Sequence, residues 1–102
     1  MEISNELTPE ECSSMSDIRT EIDFLDRAII NLIGQRSKYL EAATKLQTSD
    51  LTVRSPEQIK TMLLQRREWA NAEGVDPDII EKIYTDLVHH FLQDHLKATQ
   101  PA

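Results

Sequence analysis

One run of apolar residues constrains this chain more than any other feature. Ile18, Ile22, Leu25, Ile29, Leu32, Arg36, Tyr39, Ala43 and Leu46 follow one another at alternating steps of four and three. That heptad spacing keeps one stripe of an α-helix facing a partner helix. A helix over 16–48 carrying the stripe would be about 50 Å long at about 1.5 Å per residue. The chain has 102 residues, too few to wrap a helix of that length, so most of its cover is expected from a second copy. Only 2 glycines and 4 prolines occur, which leaves the other long runs free to be continuous helix.

The remaining punctuation divides the chain simply. Residues 1–15 are polar, with Pro9 and the Ser13–Ser14 pair, and read as an N-terminal arm. The helical domain is expected over 16–98, opening at Ser16 as N-cap with Asp17 at the positive end of the helix. Residues 48–56 form a loop. Ser55, Pro56 and Gln58 then make a capping box for a second helix, whose apolar face is Ile59, Met62, Leu63, Trp69 and Ala70. Trp69 is expected in the core or in a dimer contact. The second helix stops near Gly74. Asp76 and Pro77 open a third, with Ile79, Ile80, Ile83, Leu87, Val88, Phe91 and His95 on its apolar side and fraying from Thr99. No strand-type alternation competes. The expected fold is all-α: three helices per subunit in an intertwined homodimer.

Charge and cysteine content remove several classes of function. A net charge of −7 and a pI near 4.8 argue against nucleic acid or an anionic membrane as partner, while leaving room for a locally basic pocket that takes a small anion. Cys12 is the single cysteine, so neither an intrachain disulfide nor a thiolate metal cage is expected. No apolar run approaches a membrane span, and the start of the chain has no apolar core of a secretory signal. A cytoplasmic location is the default expectation. His89, His90 and His95 lack the spacing of a metalloprotease helix, and no metal is expected.

Arg36 is the residue most in need of explanation. It occupies a stripe position between Leu32 and Tyr39, and burying an unpaired guanidinium costs several kcal/mol. An acidic side chain, an anionic ligand or snorkelling to solvent would each answer that cost. Arg19 lies 17 residues earlier, about 25 Å along the helix and about 100° around it. One helix therefore cannot aim both arginines at one small molecule, but two antiparallel copies can. Gln47, 11 residues after Arg36, returns to within about 20° of the same face. His95 falls on the third helix's apolar stripe, where a histidine is either a satisfied boundary residue or a proton donor.

Residue by residue, these patterns resemble a known family. Thr8-Pro9-Glu10-Glu11-Cys12, Ser16-Asp17-Ile18-Arg19, Ile22-Asp23 and Asp26 are similar to the start of the isochorismate pyruvate lyases of bacterial salicylate biosynthesis, members of the all-α chorismate mutase family. The likeness continues through Arg36, Tyr39 and Ala42-Ala43. It returns at Met62-Leu63, Arg66, Trp69-Ala70, Gly74 and His89. It covers roughly residues 8–97, and its specificity lies in the combined register. The resemblance implies the type II chorismate mutase subunit, an interlocked dimer with two equivalent sites, and pericyclic chemistry without cofactor or metal. Chorismate would rearrange to prephenate, or isochorismate would lose pyruvate to give salicylate.

The same resemblance assigns roles. Arg19 matches the arginine that crosses the dimer to a ligand carboxylate, and Arg36 the one that grips the other carboxylate region. Gln47 stands where the family has its catalytic lysine, Gln58 where it has an arginine, and His95 where it has a glutamine that donates to the ether oxygen. Protonated His95, or Arg54 from the preceding loop, could restore the missing charge. Three readings follow: a pericyclic enzyme with a reworked site; a same-fold enzyme of secondary metabolism acting on a less anionic substrate; or a non-catalytic binding protein that kept the dimer scaffold. Retained Arg19 and Arg36 favour the first over the third.

Overall fold

A computed structural model of the chain describes residues 6–46 and 56–99, with the side chains of 44, 46 and 92–99 outside that description. A 3-10 turn at Pro9–Glu11 precedes three helices: α1 (Met15–Leu46), α2 (Pro56–Ala72) and α3 (Pro77–Thr99). No strand occurs among the described residues. No described helix is long and apolar enough to cross a membrane. The chain forms two compact units, Met1–Thr48 and Ser49–Ala102.

In the first unit, α1 runs for 32 residues, about 48 Å. It begins before the expected Ser16. Ser14 is the cap: its Oγ accepts the Asp17 N–H at 3.1 Å, while Asp17 Oδ2 accepts the Ser13 N–H at 3.0 Å and the Ser13 hydroxyl at 3.1 Å. The reason is spacing. Three residues on from Ser14, Asp17 gives the first turn a carboxylate that accepts from Ser13, whereas Arg19, three residues on from Ser16, has donors only. The bonds to Ser13 hold the Asp17 carboxyl below its ordinary range.

Residues 6–14 fold back on α1. The Thr8 N–H donates to Glu11 Oε1 at 2.9 Å, and the Leu7 N–H to Glu21 Oε1 at 3.3 Å. Glu21 is thereby buried, and its Oε2 has no hydrogen-bond partner. Cys12 is half-buried, and burial, followed by the charges of Asp17, Glu21, Glu11 and Glu10, pushes its thiol pKa up. It is held in the unreactive protonated form.

Among the described residues of its unit, α1 has only this arm to pack against. Ile22, Leu25 and Ile29 are 49%, 39% and 52% exposed, and Tyr39 is 76% exposed. Phe24, Ile30 and Ile33 are exposed as well and lie outside the stripe. Together with the stripe they spread exposed apolar side chains over about 240° of the helix at about 100° per residue, with Arg19, Asp26 and Gln35 among them. A surface helix needs an apolar arc little more than about 100° wide, so apolar side chains on both sides of the stripe suit a helix with more than one neighbour.

The second unit is an αα-hairpin. Its turn is a complete Schellman motif, with the Val75 N–H donating to the Ala70 carbonyl at 2.8 Å and the Gly74 N–H to Asn71 at 3.2 Å. Gly74 holds the left-handed φ of +74° that this motif requires. Asp76 caps α3, its Oδ1 accepting the Asp78 N–H at 2.9 Å, and Pro77 fills the first helical position. A Cβ at Gly74 would meet nothing within 4 Å, so Gly74→Ala isolates backbone strain. It is expected to cost about 1–2 kcal/mol, read as a lower urea midpoint at unchanged slope.

Between the two helices Ala70 and Val88 are buried. Ile59, Met62, Leu63, Ile80, Leu87 and Phe91 are half-buried. Arg67 of α2 bridges Asp78 at 2.8 Å and Glu81 at 3.3 Å on α3. Of the two expected places for Trp69, the hairpin core is not the one: it is 52% exposed in the single chain, with its ring against the Arg66 guanidinium.

Candidate active site

The sequence-predicted residues divide between the two units. Arg19 and Arg36 both stand on α1. Arg19, one turn in from the start, is exposed. Arg36 is half-buried, with half-buried Leu32 and Leu40 on the neighbouring turns. The continuous helix fixes them about 25 Å apart along the axis. A single α1 does not bring them to one small ligand, as the sequence already required.

Gln58 is exposed in the first turn of α2 and lines an open cleft with Glu57, Thr61, Met62 and Gln65. The backbone of His95 belongs to α3, but its side chain lies outside the described residues. Gln47 and Arg54, together with the expected cap Ser55, also lie outside them.

The hairpin adds a feature that sequence reading did not single out. Arg66 of α2 is half-buried, with its Cζ 4.7 Å from the centre of the Trp69 ring and 5.6 Å from that of Tyr84. Its Nη1 donates to Gln65 Oε1 at 2.9 Å, and its Nε is buried without a partner. Arg66 and Trp69 are three apart, a spacing that makes them neighbours on a helix. Tyr84 belongs to α3, and only the packing of the hairpin brings it in.

These elements define a class before any finer activity: an all-helical subunit with paired arginines on one long helix and a separate helical hairpin. The chain belongs to the chorismate mutase type II family, whose description matches residues 18–95. Among individual relatives it is similar to the isochorismate pyruvate lyase of Pseudomonas aeruginosa, at 32% identity over 90 residues, covering 88% of this chain and 89% of that protein. It is also similar to the T-proteins of Enterobacter agglomerans and Haemophilus influenzae, at 31% and 32% identity. Those matches cover 70% and 79% of this chain but only 19% and 21% of the T-proteins.

Proposed function

We propose that this protein is a pericyclic enzyme acting on chorismate or isochorismate, in a site completed by a second copy of the chain. The observation that carries the reading is Arg36, a half-buried guanidinium set in an apolar stripe. A planar fork of donors in that position suits a ligand carboxylate. Arg19 lies too far along α1 to share that ligand within one helix. In an antiparallel pair, the Arg19 of one copy meets the Arg36 of the other. The wide exposed apolar arc of α1 supports the same pairing, since each Ile or Leu covered by a partner contributes about 1.5–3 kcal/mol.

Such a site works by selecting a compact ligand conformer and stabilising the ether oxygen as its C–O bond breaks. Gln47 would donate a neutral hydrogen bond to that oxygen. A neutral bond is worth about 1 kcal/mol, against about 1.5–3 kcal/mol for a bond from a charged donor. Because the oxygen gains charge only in the transition state, the difference falls on rate. Protonated His95 supplies the replacement charge, and Arg54 is the alternative source.

The test is to incubate the protein separately with chorismate and isochorismate and to follow prephenate and salicylate at about pH 5.5 and about pH 7.5, either side of the ordinary imidazole pKa of about 6.5. The expected result is turnover that is faster at the lower pH, with the difference lost in His95→Gln. Turnover indifferent to pH removes His95 as the cation. No turnover by the folded protein removes the pericyclic reading. One observation favours a second reading, a less anionic substrate: among the described residues lining the cleft beside Gln58, Glu57 alone is charged.

A further inference from the structure

The outer face of α2 carries an oriented hydrogen-bond donor to which no role has been assigned. Arg67 marks the face turned towards α3, since it meets Asp78 and Glu81 there. Gln58 lies nine residues before Arg67, about 180° around the helix. Beside Gln58 an open cleft of about 500 Å³, lined by Glu57, Gln58, Thr61, Met62 and Gln65, runs from half-buried Met62 at the edge of the hairpin core to the exposed side of α2. Steps of three, four and seven residues return to one side of a helix, which is why these side chains converge.

Gln65 is fixed within the cleft by its neighbour. Arg66 Nη1 lies 2.9 Å from Gln65 Oε1. A guanidinium has donors only, so the amide must turn its oxygen to Arg66 and its NH2 away. Contact with the cation also polarises the amide and strengthens that NH2 as a donor. Arg66 is itself confined: its guanidinium stacks on Trp69 and Tyr84, and its Nε is buried. Swinging it away from Gln65 would forfeit both ring contacts. The chain Tyr84 and Trp69, then Arg66, then Gln65 therefore presents an NH2 group in a set orientation.

The lining sets the chemistry of what is received. Among the described residues that line the cleft there is no cation, and Glu57 is negative, so these residues disfavour a carboxylate. Gln65 offers donors, Thr61 a hydroxyl and Met62 an apolar surface. We infer that this cleft is a subsite for a neutral, hydroxyl- or carbonyl-bearing part of the substrate, with Gln65 as the specificity-determining donor and Arg66 as its positioning residue. The inference rests on the proposed function only in that Gln58 belongs to the substrate site.

Methyl shikimate, a neutral hydroxylated cyclohexene ester, is the probe. It is titrated into the full-length protein by NMR, following the Gln65 side-chain amide. The expected result is a saturable shift of that NH2 pair. Gln65→Leu, a change at an exposed position, is expected to weaken probe binding by about three- to tenfold, the worth of one neutral hydrogen bond. Arg66→Met is expected to weaken it comparably, and the double variant no further than Gln65→Leu alone, because Arg66 acts through Gln65. Additive losses would mean that Arg66 has only a structural role, and would overturn its part. If Arg66→Met does not fold, Arg66→Lys, which keeps a donor for Gln65 Oε1, is expected to bind the probe like wild type, and a loss as large as that of Gln65→Leu would overturn the part given to Arg66. Absence of probe binding, an unmoved Gln65 amide or undiminished affinity in Gln65→Leu would overturn the subsite. Failure of chorismate and isochorismate turnover alongside the expected probe result would remove the proposed reaction and leave the subsite standing.

Discussion

Arg36→Ala is expected to lower turnover by two to nearly four orders of magnitude while leaving the helical fold intact. Removing one partner of a buried ion pair costs about 3–5 kcal/mol, because the other charge is left without compensation. With a ligand carboxylate as that other charge, the loss falls on binding and rate. The guanidinium stands on α1 among Leu32 and Leu40, half-buried, where alanine is both smaller and a better helix former. Steady-state kinetics beside far-UV circular dichroism separate the two effects. A variant that loses activity with unchanged helicity supports Arg36 as a ligand group. A variant that unfolds would assign it to a structural ion pair instead.

The second large effect is expected from Ile29→Asp. Ile29 lies near the middle of the stripe and is 52% exposed in the single chain. Within one chain the change is therefore mild. In a paired bundle it places a carboxylate where an isoleucine contributes about 1.5–3 kcal/mol, and several more kcal/mol oppose burial of the charge. Association is expected to weaken by at least about a thousandfold, since each 1.4 kcal/mol is tenfold. Sedimentation velocity would then show monomer, with loss of α1 helicity as its cover departs. Lys38→Glu, a charge reversal on the exposed polar side of α1, is the control and should leave the sedimentation coefficient unchanged. A wild-type protein that sediments as a folded monomer would contradict the premise outright.

What the sequence disclosed and what it withheld divide by the range of the interactions. The stripe from Ile18 to Leu46 and the Gly74, Asp76 and Pro77 signals act over a few residues, and the helices they predict match α1, α2 and α3. The N-cap of α1 was misplaced at Ser16 because three serines lie close together, and only the reciprocal bonds between Asp17 and the Ser13–Ser14 pair select Ser14. The burial of Glu21 could not be foreseen, since it depends on the arm folding back through Leu7. Nor could the stacking of Arg66 on Tyr84, a contact between two helices.

Of the candidate site residues, Arg19 and Arg36 could be paired from their separation along one helix, and Gln47 and His95 stood out by register, Gln47 on the face of Arg36 and His95 on the apolar stripe of the third helix. Gln58, and the catalytic roles offered for Gln47 and His95, came only through the family resemblance, because nothing in the local pattern distinguishes a substituted catalytic position from an ordinary polar one.

If each site takes Arg19 from one copy of the chain and Arg36 from the other, mixing two defective subunits restores activity. Arg19→Ala and Arg36→Ala proteins, each inactive alone, are combined under conditions that exchange subunits. In a symmetric dimer about half of the exchanged assemblies are mixed, and each mixed assembly carries one site with both arginines intact. Recovery of about a quarter of wild-type activity is expected if the arginines come from different copies. A mixture no more active than its two parents, despite demonstrated exchange, would contradict that arrangement.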